Sequence, residues 1–177
     1  MQTIGIYGFA NWAPTFLLSE GKTLGQSLEY AFWIALVSPV GPVLALLTTE
    51  LIQRRTVLVA LPLLMAAIGF LFPFAESGLA VVCVGAAITI VSYWFSAVLH
   101  AYQAELFPTR LRATGVGFTY SLSRLSAAFS TVIIGSLLSH GVMAVFVFTG
   151  AAMVLCALLV AVWGPKTNAL VLEELSR

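Results

Sequence analysis

The feature that decides what this chain can fold into is a series of six apolar segments separated by short polar connectors, at residues 1–18, 30–49, 56–75, 79–104, 113–138 and 142–163. Roughly 20 mainly apolar residues are needed to cross about 30 Å of hydrocarbon, and each segment is close to that length. None alternates with period two, so they are helices and not barrel strands. A composition of 60% hydrophobic and 8% charged residues, against about 25% charged in a globular domain, excludes a soluble fold. The sequence predicts an all-α integral membrane protein, with six transmembrane helices over residues 1–164 and a short tail over residues 165–177.

The net charge of +1, with Lys and Arg as isolated pairs, argues against a nucleic-acid partner. Cys83 and Cys156 lie inside apolar segments without metal-ligand spacing and are read as small buried side chains. No residue set suggests a cofactor, a nucleophile with its base, or a phosphate loop, so an enzyme is not expected. No Lys or Arg precedes Lys22, which is unlike a signal peptide and suggests that Met1 lies within a longer parent sequence.

The connectors assign sides. Arg54 and Arg55 follow the second segment, Arg110 and Arg112 precede the fifth, and Lys166 and Arg177 follow the sixth. The remaining connectors carry Glu20, Lys22, Glu29, Glu76 and His140. Basic residues concentrated on one side mark it as cytoplasmic, which puts both termini inside a multi-pass inner or plasma membrane. Each basic pair is an orientation signal, with a further role left open for Arg54 and Arg55. Pro14, Pro39, Pro42, Pro62 and Pro73 mark helices able to bend.

Arg124 stands out. It lies twelve residues after Arg112, about 18 Å along a helix and so near mid-bilayer. An arginine facing lipid there costs at least about 2.5 kcal/mol, so it should face a cavity, a partner charge or an anionic ligand. No Asp or Glu lies mid-span in the six segments, which favours a substrate cavity over an internal pair. Tyr120 and Gly117 share its helix face. Asn11 and Trp12 in the first span, and Tyr93 and Trp94 in the fourth, suit either solute contact or helix packing. His100, near the inner end of the fourth span, is a wetted histidine or a proton site.

Three separated motifs resemble the C-terminal half of a major facilitator superfamily transporter, nearest the sugar-porter and metabolite-transporter branch. Glu105-Leu106-Phe107-Pro108-Thr109-Arg110-Leu111-Arg112, followed by Ala113-Thr114-Gly115, is similar to the E-x-F-P-T-R-x-R-A-T-G signature between the fourth and fifth helices of that half. Glu50-Leu51-Ile52-Gln53-Arg54-Arg55 resembles its D-R-x-G-R-R loop, with Glu50 for the usual Asp and Gln53 for Gly. The run from Pro165 to Leu175 is similar to the P-E-T-K-G-x-x-L-E-E-I tail, with Lys166, Asn168 and Ala169 replacing Glu, Lys and Gly.

The resemblance implies a half bundle of two three-helix inverted repeats that rocks against an N-terminal six-helix half about a central site. It implies a small polar, sugar-like or metabolite solute with a coupling proton as co-substrate, and Arg124 adds the expectation of an anionic group on that solute. The matching inner-face latch residues are Glu50, Arg54, Arg55, Glu105, Arg110, Arg112, Glu173 and Glu174. Such transporters have about twelve spans and this chain has six. A truncated or split product, a fragment and a self-pairing half all fit, with truncation favoured. The competing class is a non-transporting six-helix membrane protein that binds a partner.

Overall fold

A computed structural model describes residues 3, 5, 13–19, 21, 23–49, 51–75 and 77–165. Among them the regular elements are helices, and no strand occurs. In chain order they are α1 (Ala13–Ser19), α2 (Leu24–Leu36), α3 (Val40–Thr49), α4 (Arg54–Gly69), a 3₁₀ turn (Phe72–Phe74), α5 (Gly78–Leu106), α6 (Arg112–Leu138) and α7 (Val142–Trp163).

Five stretches are long and apolar enough to cross a membrane: Leu24–Thr49, Arg54–Phe74, Gly78–Leu106, Arg112–Leu138 and Val142–Trp163. They match the second to sixth predicted segments. Most of the first lies outside the described residues, with Thr3, Gly5 and α1 helical. The second span starts earlier than its apolar run does. Thr23 caps α2 with a reciprocal pair of bonds: the Gln26 N–H donates to Thr23 Oγ1 at 3.3 Å, and the Thr23 N–H donates to Gln26 Oε1 at 3.2 Å. A capping box fixes where a helix begins whatever the hydropathy, so Glu29 sits within α2 and not in the connector.

Proline punctuates this span and the next. Pro39 lacks the N–H that would continue α2, and the chain turns over Val37 to Pro39 before α3 resumes. Pro62 is accommodated inside α4, buried among Leu58, Leu61 and Met65. Pro73 lies in the 3₁₀ turn that ends the α4 span. Pro108 forces Phe107 into an extended conformation (φ −104°, ψ 133°), which ends α5.

α5 is the strut of the bundle. It packs against α2, α3 and α4, and α4 packs in turn along α7. Lipid is as apolar as Leu, so close packing and small residues hold such helices together. Gly41 shows how tightly. A Cβ there would stand 2.6 Å from the Trp94 nitrogen and 2.7 Å from the Ile90 carbonyl oxygen, so only glycine lets α3 approach α5 this closely. One buried cluster joins Leu58, Leu61, Met65, Phe95, Val98 and Met153, and a second joins Leu17, Ile34, Phe72, Ile88, Ile134 and Phe146. The Phe72 and Phe146 rings lie 5.2 Å apart.

α6 is different. Only 11% of its most apolar stretch is buried, against 17% for the α2–α3 span, 39% for α5 and 44% for the α4 span. It meets the rest mainly along α7, through a tight turn in which Gly141 adopts φ +105°.

Candidate functional site

The exposed surface of α6 divides into two faces. Ser123, Ala127, Ser130 and Ile134 turn toward the bundle. Phe118, Leu122, Leu125, Phe129 and Val132, spaced three and four apart, form an exposed apolar stripe. Between that stripe and the buried side runs a small and polar face with Gly117, Tyr120, Ser121, Arg124, Ala128 and Thr131. A helix carrying polar side chains on one exposed face and large apolar ones on another is built for two different surroundings.

Arg124 and Tyr120 meet on the polar face as their i, i+4 spacing requires. Arg124 Nε donates to the Tyr120 hydroxyl at 2.9 Å, Nη2 donates to the same oxygen, and the guanidinium carbon lies 4.8 Å from the ring centroid. The phenol holds the guanidinium in place while Arg124 stays exposed on that face. From α5, the His100 ring comes to 6.3 Å from the Tyr120 ring. Sequence spacing alone does not join His100 to this pair, because it sits on another helix. Thr3 donates its hydroxyl to the Ser123 carbonyl at 3.0 Å, which ties that residue to α6 one residue before Arg124.

Trp94 has a packing partner. Its indole N–H donates to Thr48 Oγ1 at 3.0 Å, and Thr48 donates to the Leu44 carbonyl at 2.7 Å, so the indole is pinned to α3. Thr48 carries no signal in the sequence that marks it as this partner. Tyr93 is 39% exposed beside Gly41. Asn11 and Trp12 lie outside the described residues.

The ends of α4, α5 and α7 carry the second group of candidates. Arg54 forms an ion pair with Glu105, and Arg55 donates to the Ala161 carbonyl near the end of α7. Tyr102 donates to the Pro165 carbonyl at 2.8 Å. Arg110 is exposed in the turn before α6, and Arg112 Nε and Nη2 are buried without hydrogen-bond partners among the described residues. Glu50, Glu173 and Glu174 lie outside the described residues. Gly115 lets the turn fold back, since a Cβ there would stand 2.5 Å from the Phe107 ring. That contact gives the phenylalanine and the glycine of the F-P-T-R-L-R-A-T-G run a physical reason. Among the described residues no group of His, Cys, Asp and Glu could hold a metal ion.

No family model matches the chain. Curated proteins do. It is 34% identical over 169 residues to YyaJ of Bacillus subtilis (strain 168), provisionally named a metabolite transport protein, across 95% of this chain and 38% of that protein. It is 30% identical over 177 residues to the inner membrane metabolite transport protein YdjE of Escherichia coli (strain K12), across 99% of this chain and 39% of the relative. The chain is a relative of the major facilitator metabolite transport proteins. The niacin transporter NiaP of Acinetobacter baylyi (strain ATCC 33305 / BD413 / ADP1) is 23% identical over 171 residues, covering 96% of the chain and 39% of NiaP. Such relatives are transport proteins and not enzymes, and with five membrane-length apolar helices this major facilitator relative is a multi-pass membrane protein. It spans about two fifths of the length of the curated relatives it matches.

Proposed function

We propose that the chain is the C-terminal six-helix half of a secondary transporter for small organic anions, in which Arg124 binds the anionic group of the solute. The observation that carries this is the Arg124 guanidinium, held by Tyr120 on the small, polar, exposed face of α6, about 18 Å along the helix from its basic end. A cation at that depth needs water or an anion before it. Niacin, in the name of one relative, is a pyridine carboxylate, a solute of the size and charge that Arg124 suits.

In this reading the polar face of α6 lines a cavity shared with an N-terminal six-helix half, and alternating access opens it to each side in turn. Tyr93, Asn11 and Trp12 contribute further wall, with Trp94 bracing it from behind. The Arg54–Glu105 pair and Arg55, with Arg110, Arg112, Glu50, Glu173 and Glu174, form the latch at the inner face, where both termini lie. His100, whose ring lies beside Tyr120, is the candidate site for a coupling proton.

The test joins the upstream half of YyaJ ahead of residue 1 and measures uptake of radiolabelled niacin and benzoate by cells expressing the fusion. Uptake is expected, with Arg124→Ala reducing it at least about tenfold, as loss of a charge-assisted bond of about 1.5–3 kcal/mol implies. Unchanged uptake and KM in Arg124→Ala would remove the ligand role. Uptake insensitive to a protonophore would remove proton coupling.

A further inference from the structure

An open groove lies away from α6, along α4 and edged by α7. It measures about 420 Å³ and is lined by Gln53, Arg55, Thr56, Val59, Ala60 and Leu63, with Ala161 at the α7 edge. Its polarity changes along its length. Gln53, Arg55 and Thr56 stand at one end, where α4 begins. Val59 and Leu63 follow Arg55 at four-residue steps, so the groove continues as an apolar floor for about 12 Å along the helix.

The polar end carries positive charge that the described residues do not offset. α4 opens on two arginines, with no acid in its first turn and no side-chain cap from Gln53. Arg54 pairs with Glu105, whereas Arg55 has only the Ala161 carbonyl as its bonded partner among the described residues. One donation through Nη2 leaves Nε and Nη1 able to donate. The positive end of the α4 dipole adds to the field at the same corner. Leu51 and Trp163, 83% and 74% exposed, flank this end, and an exposed tryptophan at a helix end marks the level of lipid headgroups.

A free anion would use only the cationic end of such a groove. A molecule with an anionic head and a hydrocarbon chain uses all of it. We propose that the groove between α4 and α7 binds one anionic phospholipid, with its phosphate at Arg55 and the first turn of α4 and an acyl chain along Val59 and Leu63. The site is separate from Arg124 and does not depend on solute binding there, and it shares Arg55 with the proposed inner-face latch. By holding α4 to α7 beside the Arg55–Ala161 bond, the lipid stiffens the end of the bundle at which the arginines gather.

Native mass spectrometry of the purified full chain, titrated with phosphatidylglycerol or with phosphatidylcholine of the same acyl length, tests this. One phosphatidylglycerol should be retained per chain, with a preference of at least about fivefold, the scale of one arginine near a membrane surface. Arg55→Gln keeps a donor for Ala161 and should reduce retention to the phosphatidylcholine level. Ala60→Trp fills the groove without touching Arg55 and should abolish retention of both lipids. Circular dichroism should show unchanged helicity in both variants. Equal retention of the two lipids by the wild type would overturn the proposal, as would phosphatidylglycerol retention unaffected by either variant. Displacement of the lipid by millimolar inorganic phosphate would make it a free-anion site and equally overturn it. In membranes, Ala60→Cys should crosslink to a photoactivatable phosphatidylglycerol. Capture of a polypeptide there instead would assign the groove to a protein segment and defeat the lipid assignment.

Discussion

Arg54 and Glu105 form an ion pair between the first turn of α4 and the last turn of α5, with side chains 22% and 19% exposed. An ion pair this sheltered is more consequential broken than formed, because the surviving charge stays away from water. Glu105→Ala should therefore destabilise the bundle by about 1–3 kcal/mol, less than for a fully buried pair because both ends retain some solvent. The double variant Arg54→Ala/Glu105→Ala should lose less than the sum of the single changes. Thermal melts in one detergent, arranged as a double-mutant cycle, measure the difference, and strict additivity would mean the pair contributes nothing.

The turn before α6 depends on Phe107 lying over a residue without a side chain. Gly115→Ala sets a methyl 2.5 Å from that ring, so the ring or the turn must move, at a cost of about 1–3 kcal/mol. Adding Phe107→Ala should restore part of the loss, because it removes the ring that the methyl meets. Melting temperatures of the two single variants and the double one decide it.

At Gly41 the obstruction is backbone, which cannot swing aside. Gly41→Val should part α3 from α5 and break the Trp94–Thr48 bond, seen as altered tryptophan emission and a lower melting temperature. Trp94→Phe keeps an aromatic ring but loses the N–H donor and part of the indole's bulk. It should cost at least about 0.5–1.5 kcal/mol and leave solute KM in the two-half fusion unchanged. A raised KM with unaltered stability would make Trp94 a solute contact and not a brace.

Tyr120 orients Arg124 through its hydroxyl and its ring face. Tyr120→Phe retains the ring, so KM for an anionic solute should rise about three- to tenfold with little change in stability. Arg124→Lys keeps the charge but not the planar fork and should impair uptake less than Arg124→Ala. Initial-rate uptake by the fusion over a range of solute concentrations checks both.

Long apolar runs gave away five spans and nearly all of their ends, because the hydrocarbon thickness that selects them is written directly into composition. The start of α2 was hidden, since the Thr23 and Gln26 capping pair outweighs the polarity of Glu29. Pro39 was legible as a point of weakness, while the full break after Leu36 needed the packing of α3 on α5. In the site, Tyr120 beside Arg124 followed from helical periodicity. The approach of His100, the Thr48 partner of Trp94 and the Arg55–Ala161 bond did not, because each crosses between helices and depends on their relative rotation.

The length of α5 has a further consequence. Its 29 residues extend about 43 Å, well beyond about 30 Å of hydrocarbon. Even a lean of about 40° would leave it slightly too long, so α5 must either tilt steeply or raise its ends into the headgroups. Because α2, α3 and α4 all rest on α5, its angle becomes theirs. Hydrophobic mismatch therefore acts on the whole bundle at once, and membrane thickness becomes a variable that sets its posture.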